Sequence, residues 1–371
     1  MPDNDKPQPP SAPPPPPAPP PPPASAKSVK FREPPLNFQE TQDILTKLES
    51  RLSTKVMCYY TPKDQSINQN HPDIFLEQLR TIGPQPTISL VIISNGGHGS
   101  ASLRIAHILR EYCQNLHMIV PSRCASAATL LTLAADKIIM SPSGYLTAID
   151  SSLTHGLNPR GPDNRPVSVS VDQIKRILKF LDAEGPAVTD SQKEGSYRTL
   201  FKYIHPVTIG EIDRVSSHSV LIATKMMQLH PQSFKSDDQI SRIANHLHND
   251  YPEHGFPILY SEAKDVGLPV EKADMQLSHL LRDLVNYYDS ATREEITHLS
   301  ESHFKSAAFT NLVESVGVRT VFRSSFERRL NPITKVWQTE NDLSKWVNIT
   351  PPPSPEGKIQ IRSLGLSLSS Q

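Results

Sequence analysis

The feature that most constrains this chain is the stretch from Ile88 to Met140. Ile88–Ile93 is aliphatic but for Ser89, too apolar on both faces for a half-solvated strand, and Asn95-Gly96-Gly97 closes it. The period then changes to 3.6, with Leu103, Ala106, Leu109 and Cys113 on one face of a helix. His117–Pro121 reads as the next strand, Ser126–Ala135 as a small-residue helix and Lys137–Met140 as another strand. Strand, turn, helix and strand at this spacing predict parallel βαβ units. Upstream, Ile44, Leu45, Leu48 and Leu52 mark a helix over 41–52, Lys55–Tyr60 a short strand, and Ile74, Leu76 and Leu79 a helix over 73–80. Downstream, the chain reads as mostly helical from Val171 to about His248, with a short helix at Pro257–Asp265 and mixed signals over 290–349.

Composition narrows the class. Of 36 prolines, 16 fall in the first 35 residues, so the chain that must fold starts near Leu36. Pro13–Pro17 and Pro19–Pro23 favour extended polyproline II, either a solvated tail or a docking segment for a Pro-recognition domain. The expected division is a Pro-rich disordered tail over 1–36, a folded domain over 37–289, a small mixed extension over 290–349 and a flexible tail over 350–371. Lys plus Arg equals Asp plus Glu at 38 each, so there is no basic footprint for nucleic acid. No apolar run is long enough to span a bilayer, and the first residues lack the blocks of a secretory signal. Cys58, Cys113 and Cys124 have no C-x-x-C spacing, which speaks against a disulfide scaffold or zinc module and favours the cytosol.

Two turns between strand and helix could carry chemistry. Ser94-Asn95-Gly96-Gly97-His98-Gly99 leaves backbone N–H groups uncovered at a helix start, where an anion or oxyanion is stabilised. It is neither G-x-G-x-x-G nor a P-loop, so no nucleotide or other cofactor is expected. In Arg123-Cys124-Ala125-Ser126-Ala127-Ala128 the serine stands among small residues, and the Ala127 N–H would face the same point as its hydroxyl. Taken alone, Ser126 reads as an ordinary helix N-cap. Adjacent parallel strands delivering both turns to one end of a sheet favour a site. A serine nucleophile needs a base and the base an orienting group. Asp150 follows a strand-like Tyr145–Ile149 segment, while His98, His155, His246, His248 and His254 are candidate bases among which spacing does not choose. No H-E-x-x-H or Cys/His spacing supports a metal site.

Ile88–Ser94 with Gly96-Gly97, the block from Ile119 through Ser126 to Leu131, Ala134–Met140 and Leu146–Asp150 together resemble the serine dehydrogenase proteinase family. That is a peptidase family related to the Clp-type and signal-peptide peptidases. The resemblance runs from about Lys55 to Val270. It implies a crotonase/ClpP-like α/β fold with a parallel sheet, helical C-terminal elements and a homo-oligomer. It also implies a soluble, ATP-independent serine endopeptidase acting on peptides or unfolded protein segments through a Ser-Asp-His triad. Matched residue by residue, Ser126 is the nucleophile, Asp150 the acid, His254 the base, and Gly97 and Ala127 the oxyanion donors. His254 is matched through His254-Gly-Phe-Pro-Ile258 followed by Glu262-Ala-Lys-Asp-Val-Gly-Leu268. The chain departs from the family pattern at Ser94-Asn95, at Ala127-Ala128 and at Thr147-Ala148, where Gly-Pro is usual. Three rival readings remain: a Ser/Lys dyad using Lys175, Lys179 or Lys202, a catalytically silent scaffold recruiting partners through its tail, and an acyl-CoA enzyme on the same fold.

Overall fold

The computed structural model of the chain describes residues 36–150, 205–230, 233–234, 236–293, 295–353 and 358–364, together with 29–30 and isolated positions between 152 and 202. In chain order the first described elements are β1 (Val29–Lys30), α1 (Phe38–Leu52), β2 (Lys55–Tyr60), α2 (His71–Ile82), β3 (Gln85–Ile93), α3 (Gly99–Tyr112) and β4 (Cys113–Val120). The two-residue β5 (Arg123–Cys124) precedes α4 (Ala127–Thr132), β6 (Lys137–Met140) and β7 (Tyr145–Leu146). β8 (Ser152–Leu153) and β9 (Val169–Ser170) pair with each other. Then come α5 (Pro206–Gln228), α6 (Asp237–Asn249), α7 (Tyr260–Val266), β10 (Val270–Lys272) and α8 (Met275–Ala291). Six strands follow: β11 (Glu295–Leu299), β12 (His303–Ser315), β13 (Val318–Leu330), β14 (Trp337–Asp342), β15 (Lys345–Thr350) and β16 (Gln360–Ser363).

The fold is α/β, with a parallel set of strands ordered β10-β6-β4-β3-β2. Alternation along these strands splits the core in two. Leu90 and Ile92 of β3, Met57 and Tyr59 of β2 and Met118 of β4 face a cluster built with α2, α3, α4, α5 and α6. Val91, Ile93, Val56, Cys58 and Ile119 face the opposite cluster, built with α1 and α8. Both faces of the strands are thus covered, which is why Ile88–Ile93 carries apolar residues without a polar period. Along this parallel set the strand order never reverses, so it contains no topological switch point. The site has to be placed by other means.

From Glu295 onward the described residues of the C-terminal extension form antiparallel strands that prolong the same sheet. β12 pairs with β2, Val313 opposite Tyr59, and the order continues β13-β15-β16. The mixed signals over this stretch resolve as long strands because their inward residues are Ala, Thr and Asn as well as aliphatics, which blurs the alternation. Val29–Lys30 pairs with β11, so part of the Pro-rich segment touches this half. Glu314 and Arg319, both fully buried, join it to α1 and α8: the Glu314 carboxylate accepts from Arg319 Nε, Thr41, Gln42 and the Tyr288 hydroxyl. Among the described residues no helix is long and apolar enough to cross a membrane.

Candidate active site

The site is placed by a small ridge of backbone pairing that crosses the carboxyl ends of β3 and β4. After Val120 the chain turns at Pro121-Ser122, and β5 pairs with β7. Ser94 bridges Cys124 on one side, and Leu146 bridges Ile258 on the other. The last rung has two bonds, Leu146 N–H to Ile258 O at 3.0 Å and the reverse at 2.9 Å. Each candidate residue lies close to a rung: Gly96 and Gly97 just after Ser94, Ser126 just after Cys124, Asp150 just after Leu146 and His254 just before Ile258. This is how residues far apart in sequence arrive in one cleft of about 720 Å³, lined by Gly96, Gly97, Ser126, Ala127, Asp150 and His254 with others.

Ser126 has φ 52° and ψ −117°. The Ala128 N–H donates to Ala125 O at 2.9 Å, so residues 125–128 form a type II′ turn with Ser126 at the position that glycine favours. A β-branched or bulky neighbour would crowd it, whereas the alanines around it do not. Holding a side-chain-bearing residue there costs about 1–3 kcal/mol, and such strain gathers at functional sites. Ser126 is therefore no ordinary N-cap; its side chain makes no capping bond to α4. The turn is supported from behind. Ser126 N–H donates to Thr147 Oγ1 at 2.8 Å, Thr147 N–H to Thr129 Oγ1 at 3.1 Å, and Thr129 Oγ1 to Cys124 O at 2.8 Å. Cys124, two residues before the serine, is fully buried with its thiol pushed up by desolvation, and so is no rival nucleophile.

The glycine turn lies directly on the serine turn. A Cβ on Gly96 would stand 2.6 Å from Ala125 O and 2.8 Å from Ala127 N, so any side chain there would cover the Ala127 N–H. Gly96 has φ 94° and Gly97 φ 143°, both in the region that L side chains rarely adopt. The loop from Thr61 to Asn70 fixes this shape: Ile67 N–H donates to Gly96 O at 2.7 Å and His98 N–H to Ile67 O at 2.9 Å. In such a parallel bridge the residue between, Gly97, turns its own N–H away from Ile67. Neither the Gly97 nor the Ala127 N–H has an acceptor among the described residues. Asn95 bonds Lys63 O at 2.9 Å, so the Ser94-Asn95 departure ties the turn to that loop.

Across the cleft, His254 Nδ1 and Asp150 Oδ1 are 2.7 Å apart. Asp150 is the more sheltered, with 14% of its side chain exposed against 46% for His254. The bond to Asp150 raises the imidazole pKa above its usual value, against partial burial, which lowers it. Ile149 N–H donates to Leu247 O at 3.0 Å and anchors the segment leading to Asp150 on α6. No hydrogen bond joins Ser126 Oγ to His254 among the described residues, although both line the cleft. The other histidines are engaged elsewhere: His246 pairs with Asp250 at 2.7 Å, and His248 meets Ser216 Oγ at 2.5 Å. His98 is the residue before α3 and lines the cleft; His155, Lys175 and Lys179 lie outside the described residues. Lys202 is exposed and is not among the cleft's lining residues; among the described residues the lysine that lines it is Lys63. Among the described residues no group of His, Cys, Asp and Glu could hold a metal ion.

Sequence reasoning named the turn residues but missed what holds them, namely the Thr129–Thr147 relay and the Thr61–Asn70 loop. Threonine hydroxyls in a buried stretch were the available signal.

A strained serine beside free N–H groups, opposite an Asp–His pair, is the layout of a serine hydrolase. Residues 58–159 match the model of the family described as ClpP-like SDH-type serine proteinase, the family that the motifs resemble. Among curated proteins, the uncharacterized protein MJ0137 of Methanocaldococcus jannaschii is 24% identical over 222 residues, 60% of this chain and 65% of the relative. The match thus spans less than two thirds of that relative's length. Among solved structures, a point mutant of the 1510-N membrane-bound stomatin-specific protease is 15% identical, with TM-score 0.35, covering 59% of this chain and 79% of that one. ClpP1 from Listeria monocytogenes is 17% identical with TM-score 0.33, covering 64% and 98%.

Proposed function

We propose that this chain is a serine peptidase that cleaves peptides or unfolded protein segments without ATP, through Ser126, His254 and Asp150. The observation that carries the reading is the 2.7 Å His254–Asp150 bond in the same cleft as a serine held at φ 52°. In the reaction, His254 Nε2 takes the Ser126 proton as Oγ attacks the scissile carbonyl. Asp150 accepts from Nδ1–H, fixes the tautomer and stabilises the imidazolium. The Gly97 and Ala127 N–H groups receive the oxyanion, where one lost donor costs about 3 kcal/mol in the transition state. His254 then gives the proton to the leaving amine, and a water activated by the same imidazole releases the acyl group. The serine–histidine bond would form as substrate enters, since such bonds are often long before a complex assembles.

The burial and free state of all three cysteines fits a reducing, cytosolic setting. A homo-oligomer follows from the resemblance alone, as does a Pro-recognition partner from the tail's composition. The competing lysine-dyad reading rests on residues outside the cleft or outside the described set.

Mapping a fluorophosphonate adduct tests the nucleophile. Label should sit on Ser126, and Ser126→Ala should remove label and hydrolysis while the melting temperature stays put. Label on another serine, or cleavage of a model peptide without any label, would overturn the reading.

A further inference from the structure

Resting on that peptidase reading, we infer that Thr147 is a positioning residue for the Ser126 nucleophile. At the first central position of the type II′ turn, the Ser126 N–H points out of the turn and needs an acceptor. Thr147 Oγ1 supplies it at 2.8 Å, from a residue only 2% exposed, so water does not substitute for it. The hydroxyl is itself held. Thr147 Oγ1 donates to Ala148 O at 3.2 Å, and its backbone N–H is fixed on Thr129 Oγ1, which in turn donates to Cys124 O. The relay therefore closes on both sides of Ala125 and clamps the residue before the serine and the serine together.

Thr147 also lies between the Leu146–Ile258 rung and Asp150. Its bond to Ser126 directly links the segment that carries the acid, itself paired through Leu146 with the segment that carries the base, to the turn that carries the nucleophile. Without the acceptor, the strained turn loses the bond that favours it over ordinary backbone geometry, and the hydroxyl leaves the line of attack. Thr147 touches neither substrate nor reacting atoms; it acts through Ser126.

The test uses the full chain and the rate of Ser126 acylation by a fluorophosphonate, with kcat and KM on a model peptide. Thr147→Val keeps the shape and removes the acceptor; it should slow acylation and lower kcat by about 10- to 100-fold, with KM within about 3-fold. Thr147→Ser restores the acceptor and should return the rate to within about 3-fold of the unaltered chain. The acidic limb of the rate profile, set by His254, should stay in place in both variants. A general packing defect would not be rescued by Thr147→Ser, which lacks the methyl group. Acylation of Thr147→Val at the unaltered rate, or of Thr147→Ser as slow as Thr147→Val, overturns the inference. If thermal melting shows that Thr147→Val does not fold, Thr147→Ala is compared with Thr147→Ser by the same criteria. An unaltered chain that takes no label at Ser126 overturns the peptidase reading and this inference together, whereas the variant outcomes above overturn this inference alone.

Discussion

The two halves of the central sheet are built from different materials and do different work. The parallel half, β2 to β10, is aliphatic on both faces and wrapped by helices; the glycine and serine turns follow its strands β3 and β4, and the Leu146–Ile258 rung brings Asp150 and His254 to the same cleft. The described residues of the antiparallel half, β11 to β16, do not line the cleft. Its polar investment goes into the buried Glu314–Arg319 pair, which locks the β12–β13 hairpin to α1 and α8. The lesson is a separation of labour within one hydrogen-bonded sheet. The strained serine and the free donors belong to one half, and the fully buried ion pair to the other.

The largest effect that could break this division lies in the parallel half. His254→Ala should cost about three to six orders of magnitude in turnover, as a group acting in concert with its partners requires, and leave the melting temperature nearly unchanged. Asp150→Asn should cost less than or about as much, since it disturbs the tautomer and keeps the imidazole. Steady-state kinetics on a peptide substrate read both. Near-normal turnover of His254→Ala, with one of Lys175, Lys179 or Lys202 proving indispensable, would replace the triad by a dyad.

The antiparallel half should answer in the opposite currency. Glu314→Leu leaves the Arg319 guanidinium buried beside Thr41 without its carboxylate, and should lower unfolding stability by about 3–5 kcal/mol in urea titrations. The folded fraction should still acylate at Ser126 within about 3-fold of the unaltered rate, because the two sites share no partner. Lost acylation in a folded variant would mean that this half does reach the chemistry.

How much of this was legible follows the same line. The parallel units could be read because an aliphatic strand, a glycine turn and a 3.6-period helix each leave an unambiguous local trace. Ser126, Gly97 and Ala127 came with them, since they sit in those turns. Asp150 and His254 stood among the candidates, but only the resemblance chose His254 and paired the two, because their meeting depends on the Leu146–Ile258 rung, a pairing of residues 112 apart that no local pattern marks. Thr147-Ala148 stood out only as a departure where Gly-Pro is usual. Its hydroxyl turns out to accept the Ser126 N–H, a bond that neither glycine nor proline could offer through a side chain. The long strands β12 and β13 were hidden by their Ala, Ser, Thr and Asn content, which carries no clear period.

The smallest expected effect is a shift in pH dependence, and it tests whether the Asp–His pair works as a unit. A general base acts only when deprotonated, so the acidic limb of kcat/KM reports the His254 pKa in the free enzyme. The hydrogen bond from Nδ1 to Asp150 favours the imidazolium and raises that pKa, and burial opposes it without winning. The limb should therefore lie above the usual imidazole value of about 6.5. Asp150→Asn removes the negative partner and leaves only burial, so the residual activity of that variant should show its limb moved downward. The same linkage has a sign for stability. A raised folded-state pKa contributes stability below the unfolded-state value, and this is lost as pH rises through the folded one. The unaltered chain should lose a little of its margin over Asp150→Asn as the pH is raised through that window. With nearly half of the His254 side chain in solvent, the loss should be small. A limb that stays put in Asp150→Asn would show that Asp150 does not set the imidazole's charge, and the base would then have to be sought elsewhere in the cleft.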